Sequence, residues 1–142
     1  MDADARHVVF RAGGERYALP LEAVSEVVPP APPFARVPRT TSPVLGAMSL
    51  RGRVVAVVEL APLLGLRTAP LADGAGQVIV LDRERRALGF LVDGVTGVEP
   101  VDPPARAADG LPVKGLSAVR GAPVAVLDPD ALASAAQRLF RG

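Results

Sequence analysis

The chain has 142 residues, 49% hydrophobic and 22% charged, a length and balance that fit one ordered globular domain and exclude a disordered chain. A net charge of +1 gives no broad electrostatic footprint for nucleic acid or anionic lipid. The absence of cysteine excludes disulfides, thiolate catalysis and thiolate-bound metal.

The chain opens Met1-Asp2-Ala3-Asp4, without the basic start and apolar stretch of a signal peptide. Residues 8–11 and 16–21 are apolar runs on either side of Gly13-Gly14 and read as a β-hairpin. A short Val-rich run follows at 24–28. The proline-rich stretch 29–33 reads as an extended connector. Runs at 44–50 and 54–60 enclose Arg51-Gly52, and residues 61–64 suit one helical turn. The densest apolar segment, 54–58, is closed by Arg53 and Glu59, far short of the about 20 residues of a membrane helix. Residues 69–76 have the composition of a flexible linker. Strand-like runs then recur at 77–81, 87–92, 95–101, 116–119 and 124–127, with a second proline-rich connector at 100–104. Near the end, Asp128 as N-cap, Pro129 at the first helical position and Asp130 in the first turn predict a helix that stops before Gly142. It places Leu132, Ala136, Leu139 and Phe140 on one face, toward the core. The expectation is a soluble, cytoplasmic, all-β protein with a short C-terminal helix.

The chain is written twice. Residues 21–29, LEAVSEVVP, match 92–100, VDGVTGVEP, at an offset of 71. Residues 46–59, GAMSLRGRVVAVVE, match 115–128, GLSAVRGAPVAVLD, at an offset of 69. Arg51-Gly52 aligns with Arg120-Gly121, and Glu59 with Asp128. Two ordered matches at nearly one offset indicate pseudo-equivalent halves, here about 7–70 and 76–142. About five short strands per half, punctuated by Gly and Pro, suggest small barrels or a sandwich. A βαβ arrangement would need longer helices between strands.

Catalytic machinery is hard to assemble from these residues. His7, the only histidine, begins the first strand and reads as a surface or edge residue rather than a base. Carboxylates are scattered, and Asp128-x-Asp130 is explained by helix capping, so no metal-ligand spacing is present. Lys114, the only lysine, reads as a turn residue between Pro112 and Gly115. Gly74-Ala75-Gly76 does not join a strand to a long helix, which argues against a phosphate cradle. The five aromatics are too few among the basic residues for a nucleic-acid stacking platform. What remains is an apolar β scaffold with charges at set points, a description that suits a binding module. Val24 and Val27, with their counterparts Val95 and Val98, are expected to be mostly core. Excess apolar surface between two small barrels would make a groove for an amphipathic helix. Arg51, where a strand meets a turn, either pairs with Glu59 or Glu26 within the fold or contacts a partner. Arg120 at the matching place favours a fold role for at least one of the two.

An ordered set of motifs resembles the CheW family, the adaptors of bacterial chemotaxis signalling related to the regulatory domain of the kinase CheA. The set begins with Val8-Val9-Phe10, Glu15 to Leu21 (ERYALPL) and Val24-Ser25-Glu26-Val27. Its strongest piece is Val44 to Gly52 (VLGAMSLRG), followed by 54–60. It continues with Val78-Ile79-Val80, Gly89 to Val95 (GFLVDGV) and Val124 to Asp128 (VAVLD). The likeness covers about residues 7–133.

The resemblance implies two five-stranded β-barrels of SH3-like type around a shared core, with strand exchange across the halves allowed. It implies a non-enzymatic adaptor without cofactor that holds a CheA-type histidine kinase to the cytoplasmic tip of chemoreceptors. Such a protein binds no nucleic acid, does not insert into the membrane, and is recruited to membrane-bound receptor clusters. The family's receptor-facing groove maps onto Val24, Glu26, Val27 and Arg51, with Val95 added. Its kinase contacts map onto Thr40, Thr41, Ser42, Pro43, Val44 and Leu45. Three departures stand out: Ser49 where the family favours Asn, Glu59 where it favours Asp, and a short, turn-rich 105–114 where members often carry a longer insert that serves ring assembly. The last of these motivates an alternative, a cut-down scaffold binding only kinase or only receptor in a non-flagellar system.

Overall fold

The structure, a computed structural model, describes residues 6–37, 43–67, 69, 71–72, 74–83, 86–104 and 112–140. The strands in chain order are β1 (Arg6–Ala12), β2 (Glu15–Pro20), β3 (Glu26–Val28), β4 (Val44–Leu50), β5 (Arg53–Glu59), β6 (Gln77–Arg83), β7 (Arg86–Val92), β8 (Gly94–Pro100), β9 (Val113–Val119) and β10 (Ala122–Leu127). One helical turn, α1 (Leu60–Leu63), follows β5, and helix α2 (Pro129–Gln137) follows β10. Lys114 thus lies in strand β9 rather than in a turn: Gly115 pairs with Val126, so the ladder with β10 already includes this part of the chain.

The strands form two five-stranded sheets. Sheet A has the order β8-β1-β2-β10-β9, and sheet B the order β3-β6-β7-β5-β4. Replacing β1 to β5 by β6 to β10, and the reverse, converts one order into the other, so the sequence repeat is a topological repeat. The sheets nevertheless do not follow the expected 7–70 and 76–142 division. Hairpin β1–β2 lies in the sheet of β8, β9 and β10, and hairpin β6–β7 lies in the sheet of β3, β4 and β5. Each hairpin is fixed in the other half's sheet by one parallel pairing, β2 with β10 and β5 with β7, and one antiparallel pairing, β1 with β8 and β6 with β3.

The exchange answers a burial problem. Val8, Val9 and Phe10 are all buried, as are Val78, Ile79, Val80 and Leu81. Neighbouring residues of a strand point to opposite faces, so these hairpins need apolar cover on both sides. One face lines a barrel interior: Val9 and Ala18 with Val124 and Val126 in barrel A, Val78 and Val80 with Val55 and Val57 in barrel B. The other face joins a third core between the sheets. There Val8, Phe10, Tyr17 and Leu19 meet Ile79, Leu81, Leu88 and Phe90, with Leu60 and Leu132 added from the helices. Phe10 and Tyr17 stack across β1 and β2 with ring centroids 5.9 Å apart. Burial, aided by Glu15, pushes the Tyr17 hydroxyl pKa up.

His7 is 8% exposed, not a surface or edge residue, because β1 is flanked by both β2 and β8. Val98, grouped with the core valines from sequence, is instead 42% exposed, since β8 is an outer strand of its sheet. Helix α2 starts as its sequence requires: Asp128 Oδ1 accepts from the backbone N–H of Asp130 at 3.0 Å and of Ala131 at 3.4 Å. It buries Leu132, Ala133 and Ala136, and Leu139 and Phe140 pack on the same core from a closing 3-10 turn at Arg138–Phe140.

Because one core serves both sheets, Phe90→Ala is expected to cost about 3–5 kcal/mol and to leave a single unfolding transition. Urea melts followed by far-ultraviolet circular dichroism and by Tyr17 fluorescence should shift together. A loss confined to one signal would show that the sheets fold separately.

Candidate functional site

Of the residues singled out from sequence, Val24, Glu26, Val27 and Arg51 meet at one border of barrel B. A 3-10 turn at Leu21–Ala23 leads into β3. There the Val24 N–H donates to the Leu21 carbonyl at 3.1 Å and the Ser25 N–H to the Val80 carbonyl at 2.8 Å. In β3, Val27 pairs with Ile79 and packs on the shared core, while Val28 points into barrel B. Val24 is half-buried against the shared core, and Val95 packs on it from β8 of the other barrel. The Val95 N–H donates to Gln77 Oε1 at 2.7 Å. Val24, Val27 and Val95 therefore border one core without being sealed inside it.

Arg51 stands over this border. Arg51 and Gly52 have φ of 49° and 81°, and Arg120 and Gly121 repeat this with 50° and 78°. Positive φ at both central residues defines a type I′ hairpin turn, whose twist suits the flanking strands. Glycine adopts it freely, whereas for arginine the left-handed conformation costs about 1 kcal/mol. Both arginines reach an edge carboxylate. The Arg51 guanidinium bonds the Glu26 carboxylate, and Arg120 Nη2 lies 3.3 Å from Glu99 Oε2. Glu26 and Glu99 are on β3 and β8, whereas the arginines sit in the turns after β4 and β9. Each pair thus joins the two outer strands of its own sheet, which requires the sheet to curl. Of the two carboxylates considered for Arg51, Glu26 is the partner found. The Arg51 side chain is 68% exposed against 24% for Glu26, so the cation is open to solvent above a shielded carboxylate.

Three further residues complete the polar cluster, and the sequence did not mark them. Arg53 Nη2 lies 2.5 Å from Asp82 Oδ1, across the intervening strand β7. The Ser25 side chain also acts on the same carboxylate. The hydrogen bond from Arg53 holds the Asp82 carboxyl below the usual aspartate range, Ser25 and the Arg53 charge add to this, and burial opposes it. Glu26 also acts on Arg53 through its charge. Arg53 and Asp82 are 29 residues apart, and only the exchange of hairpin β6–β7 into sheet B brings them together.

Of the expected kinase-contact segment, Thr40, Thr41 and Ser42 lie outside the described residues. Pro43 accepts from the Glu59 N–H at 2.9 Å, and Val44 pairs with Val58. Leu45 lines an open depression of about 490 Å³ with Pro32, Pro33 and Phe34, three residues that sequence reading took for part of a plain connector or left unassigned. The depression is built on a close approach: Ala35 and Ala47 exchange backbone hydrogen bonds of 2.8 Å, and a Cβ on Gly46 would lie 2.5 Å from the Ala35 oxygen. Among the described residues no three His, Cys, Asp or Glu group as a metal site, and no helix is long and apolar enough to cross a membrane.

A carboxyl whose folded pKa is lowered contributes stability that is complete above the ordinary value of about 3.9 and is lost as pH falls through the folded value. Asp82 should therefore titrate below a free aspartate in carboxyl-detected NMR, and Arg53→Ala should move its midpoint upward. A midpoint that does not respond to Arg53→Ala would show that the pair does not form in solution.

Residues 6–137 match the sequence profile of the CheW-like domain. A probable chemotaxis protein CheW of Rhizobium etli is 31% identical over 96 residues, 67% of this chain and 60% of that protein. The chemotaxis protein CheW of Helicobacter pylori is 33% identical over 87 residues, 61% of this chain and 52% of that protein. Protein PilI of Pseudomonas aeruginosa is 32% identical over 95 residues, 66% of this chain and 52% of that protein. The chain thus spans between half and three-fifths of the length of these relatives. The crystal structure of the scaffolding protein TtCheW from Thermoanaerobacter tengcongensis superposes with a TM-score of 0.74 at 23% identity, covering 88% of this chain and 84% of that one. The matched profile extends over nearly the whole chain, and its two exchanged barrels have the fold of a CheW scaffold: the chain belongs to the CheW-like domain family.

Proposed function

We propose that the protein is a non-enzymatic coupling adaptor that joins the cytoplasmic tip of a chemoreceptor to the regulatory domain of a CheA-type histidine kinase. The observation that carries this reading is the open cation of Arg51, paired with the shielded Glu26 carboxylate on the strand that carries the half-buried Val27, with Val24 just before it. A receptor helix would lay apolar residues on Val24, Val27 and Val95. Arg51 and Glu26 would fix its register by polar contacts, which contribute specificity more than raw affinity. The kinase domain would dock around Pro43, Val44 and Leu45, and the proposed contact segment includes Thr40, Thr41 and Ser42. There the depression under Leu45 offers a seat for one apolar side chain. The names of the relatives, most of them chemotaxis proteins CheW, support this reading, as does the family profile. The adaptor would act in the cytoplasm, recruited to receptor clusters, and needs no cofactor.

The test is calorimetric titration of the protein with a soluble receptor-tip fragment and, separately, with a kinase regulatory domain. Binding to both is expected. Arg51→Ala should weaken receptor binding by about 1 kcal/mol or more, roughly fivefold in Kd, at an unchanged melting temperature. Binding to one partner alone would replace the coupling adaptor by a single-partner scaffold, and binding to neither would overturn the reading.

A further inference from the structure

The proposed docking face depends on how β3 is held, and β3 is weakly held. It is three residues long, lies at the edge of sheet B and pairs only with β6, through Glu26–Val80, Val27–Ile79 and Val28–Val78. Its ladder therefore ends at Val80. Asp82 sits two residues further along β6, and the Ser25 side chain just before β3 acts on its carboxylate, beside the backbone bond from the Ser25 N–H to the Val80 carbonyl at 2.8 Å. The same carboxylate takes Arg53 Nη2 at 2.5 Å, and Arg53 is the first residue of β5, directly after the Arg51-Gly52 turn. The Arg53–Asp82 pair thus ties β6, the strand on which β3 is held, to the strand that follows the Arg51 turn.

The other barrel shows that closure does not require this link. In the repeat, Asp82 corresponds to Arg11, Arg53 to Ala122 and Ser25 to Thr96. The Thr96 hydroxyl donates instead to the Val9 backbone carbonyl at 3.1 Å, while Arg120 and Glu99 still join the outer strands. The extra carboxylate link belongs to the barrel with the docking face alone.

We propose that Asp82 is a positioning residue for partner docking, its carboxylate setting β6, and with it β3, relative to the Arg51 turn through Arg53. The proposal rests on the reading that this border docks a receptor helix. Asp82 itself stays at the edge of the contact and acts through Glu26, Arg51 and the two neighbouring valines.

The test compares wild type, Asp82→Ala, Asp82→Asn and Ser25→Ala in two measurements, both made well below every melting temperature. The first is calorimetric binding of a soluble chemoreceptor-tip fragment. The second is amide hydrogen exchange at Ser25 against Val57 and Phe90 in the centre of sheet B. Asp82→Ala should weaken binding about three- to fivefold, the scale of an exposed ion pair of up to about 1 kcal/mol. It should speed exchange at Ser25 while leaving Val57 and Phe90 unchanged. Asp82→Asn, which keeps the shape and a polar oxygen but loses the charge for Arg53, should fall between. In an Arg51→Ala background the Asp82→Ala effect on binding should shrink, because the two act on one contact. Unchanged binding by Asp82→Ala, or faster exchange throughout sheet B, would overturn the proposal. If wild type itself fails to bind the fragment, the docking reading falls. Asp82 is then judged by exchange alone: loosening confined to Ser25 keeps its positioning role, and uniform loosening ends it.

Discussion

The contact of hairpin β1–β2 with hairpin β6–β7 is the constraint on which the rest of the molecule depends. Phe10, Tyr17 and Leu19 on one side and Ile79, Leu81 and Phe90 on the other are large side chains of the shared core. Five of these six are almost wholly excluded from water, and Tyr17 is 6% exposed. Each hairpin also lines the interior of a barrel with its second face. Neither barrel can be completed by its own half of the chain. Burial of the shared core, roughly 1.5–3 kcal/mol for each large side chain, is therefore coupled to the integrity of both sheets.

This arrangement explains where function can be placed. Strands buried on both faces have no surface to offer a partner, so recognition falls to outer strands and turns. In sheet B these are β3, β4 and the Arg51 turn. β3 leaves the shared core half-covered at Val24 and Val27, and Val95 approaches that core from the other barrel. The apolar border and the charges above it therefore come from three separate stretches of chain. The two arginines with positive φ both reach a carboxylate on the opposite edge of their sheet.

Parts of the site were legible in the linear chain. Arg51 stood out because Arg-Gly recurs before an apolar run in each half. Val24 and Val27 stood out because their spacing recurs with Val95 and Val98, and the family resemblance named both together with Glu26 and Arg51. Arg53, Asp82 and Ser25 were not legible. Arg53 looks like the charged end of a strand, and Asp82 like part of a polar turn. Their meeting requires that β6 lie beside β3 and β7 beside β5. No local pattern encodes that choice, because a hairpin of the same composition could pair with its own half equally well by periodicity. The depression beneath Leu45 was missed for a similar reason. Its wall is a connector whose position depends on the close approach permitted by Gly46.

The sequence by itself determined the all-β class, the two-fold repetition, the strand runs, the capped C-terminal helix and the family. These follow from short-range chemistry: turn residues at fixed offsets, side-chain periodicity and a cap within one helical turn. It also limited the chemistry available, since the chain carries no cysteine and a single histidine. Only the tertiary structure decided that the hairpins are exchanged, that His7 is enclosed, that Val98 is open, and which carboxylate each arginine reaches. Those outcomes depend on which apolar faces meet across the middle of the molecule. Hydrophobic burial is non-directional, so it demands that such faces be covered while leaving the choice of cover to the packing of the whole chain.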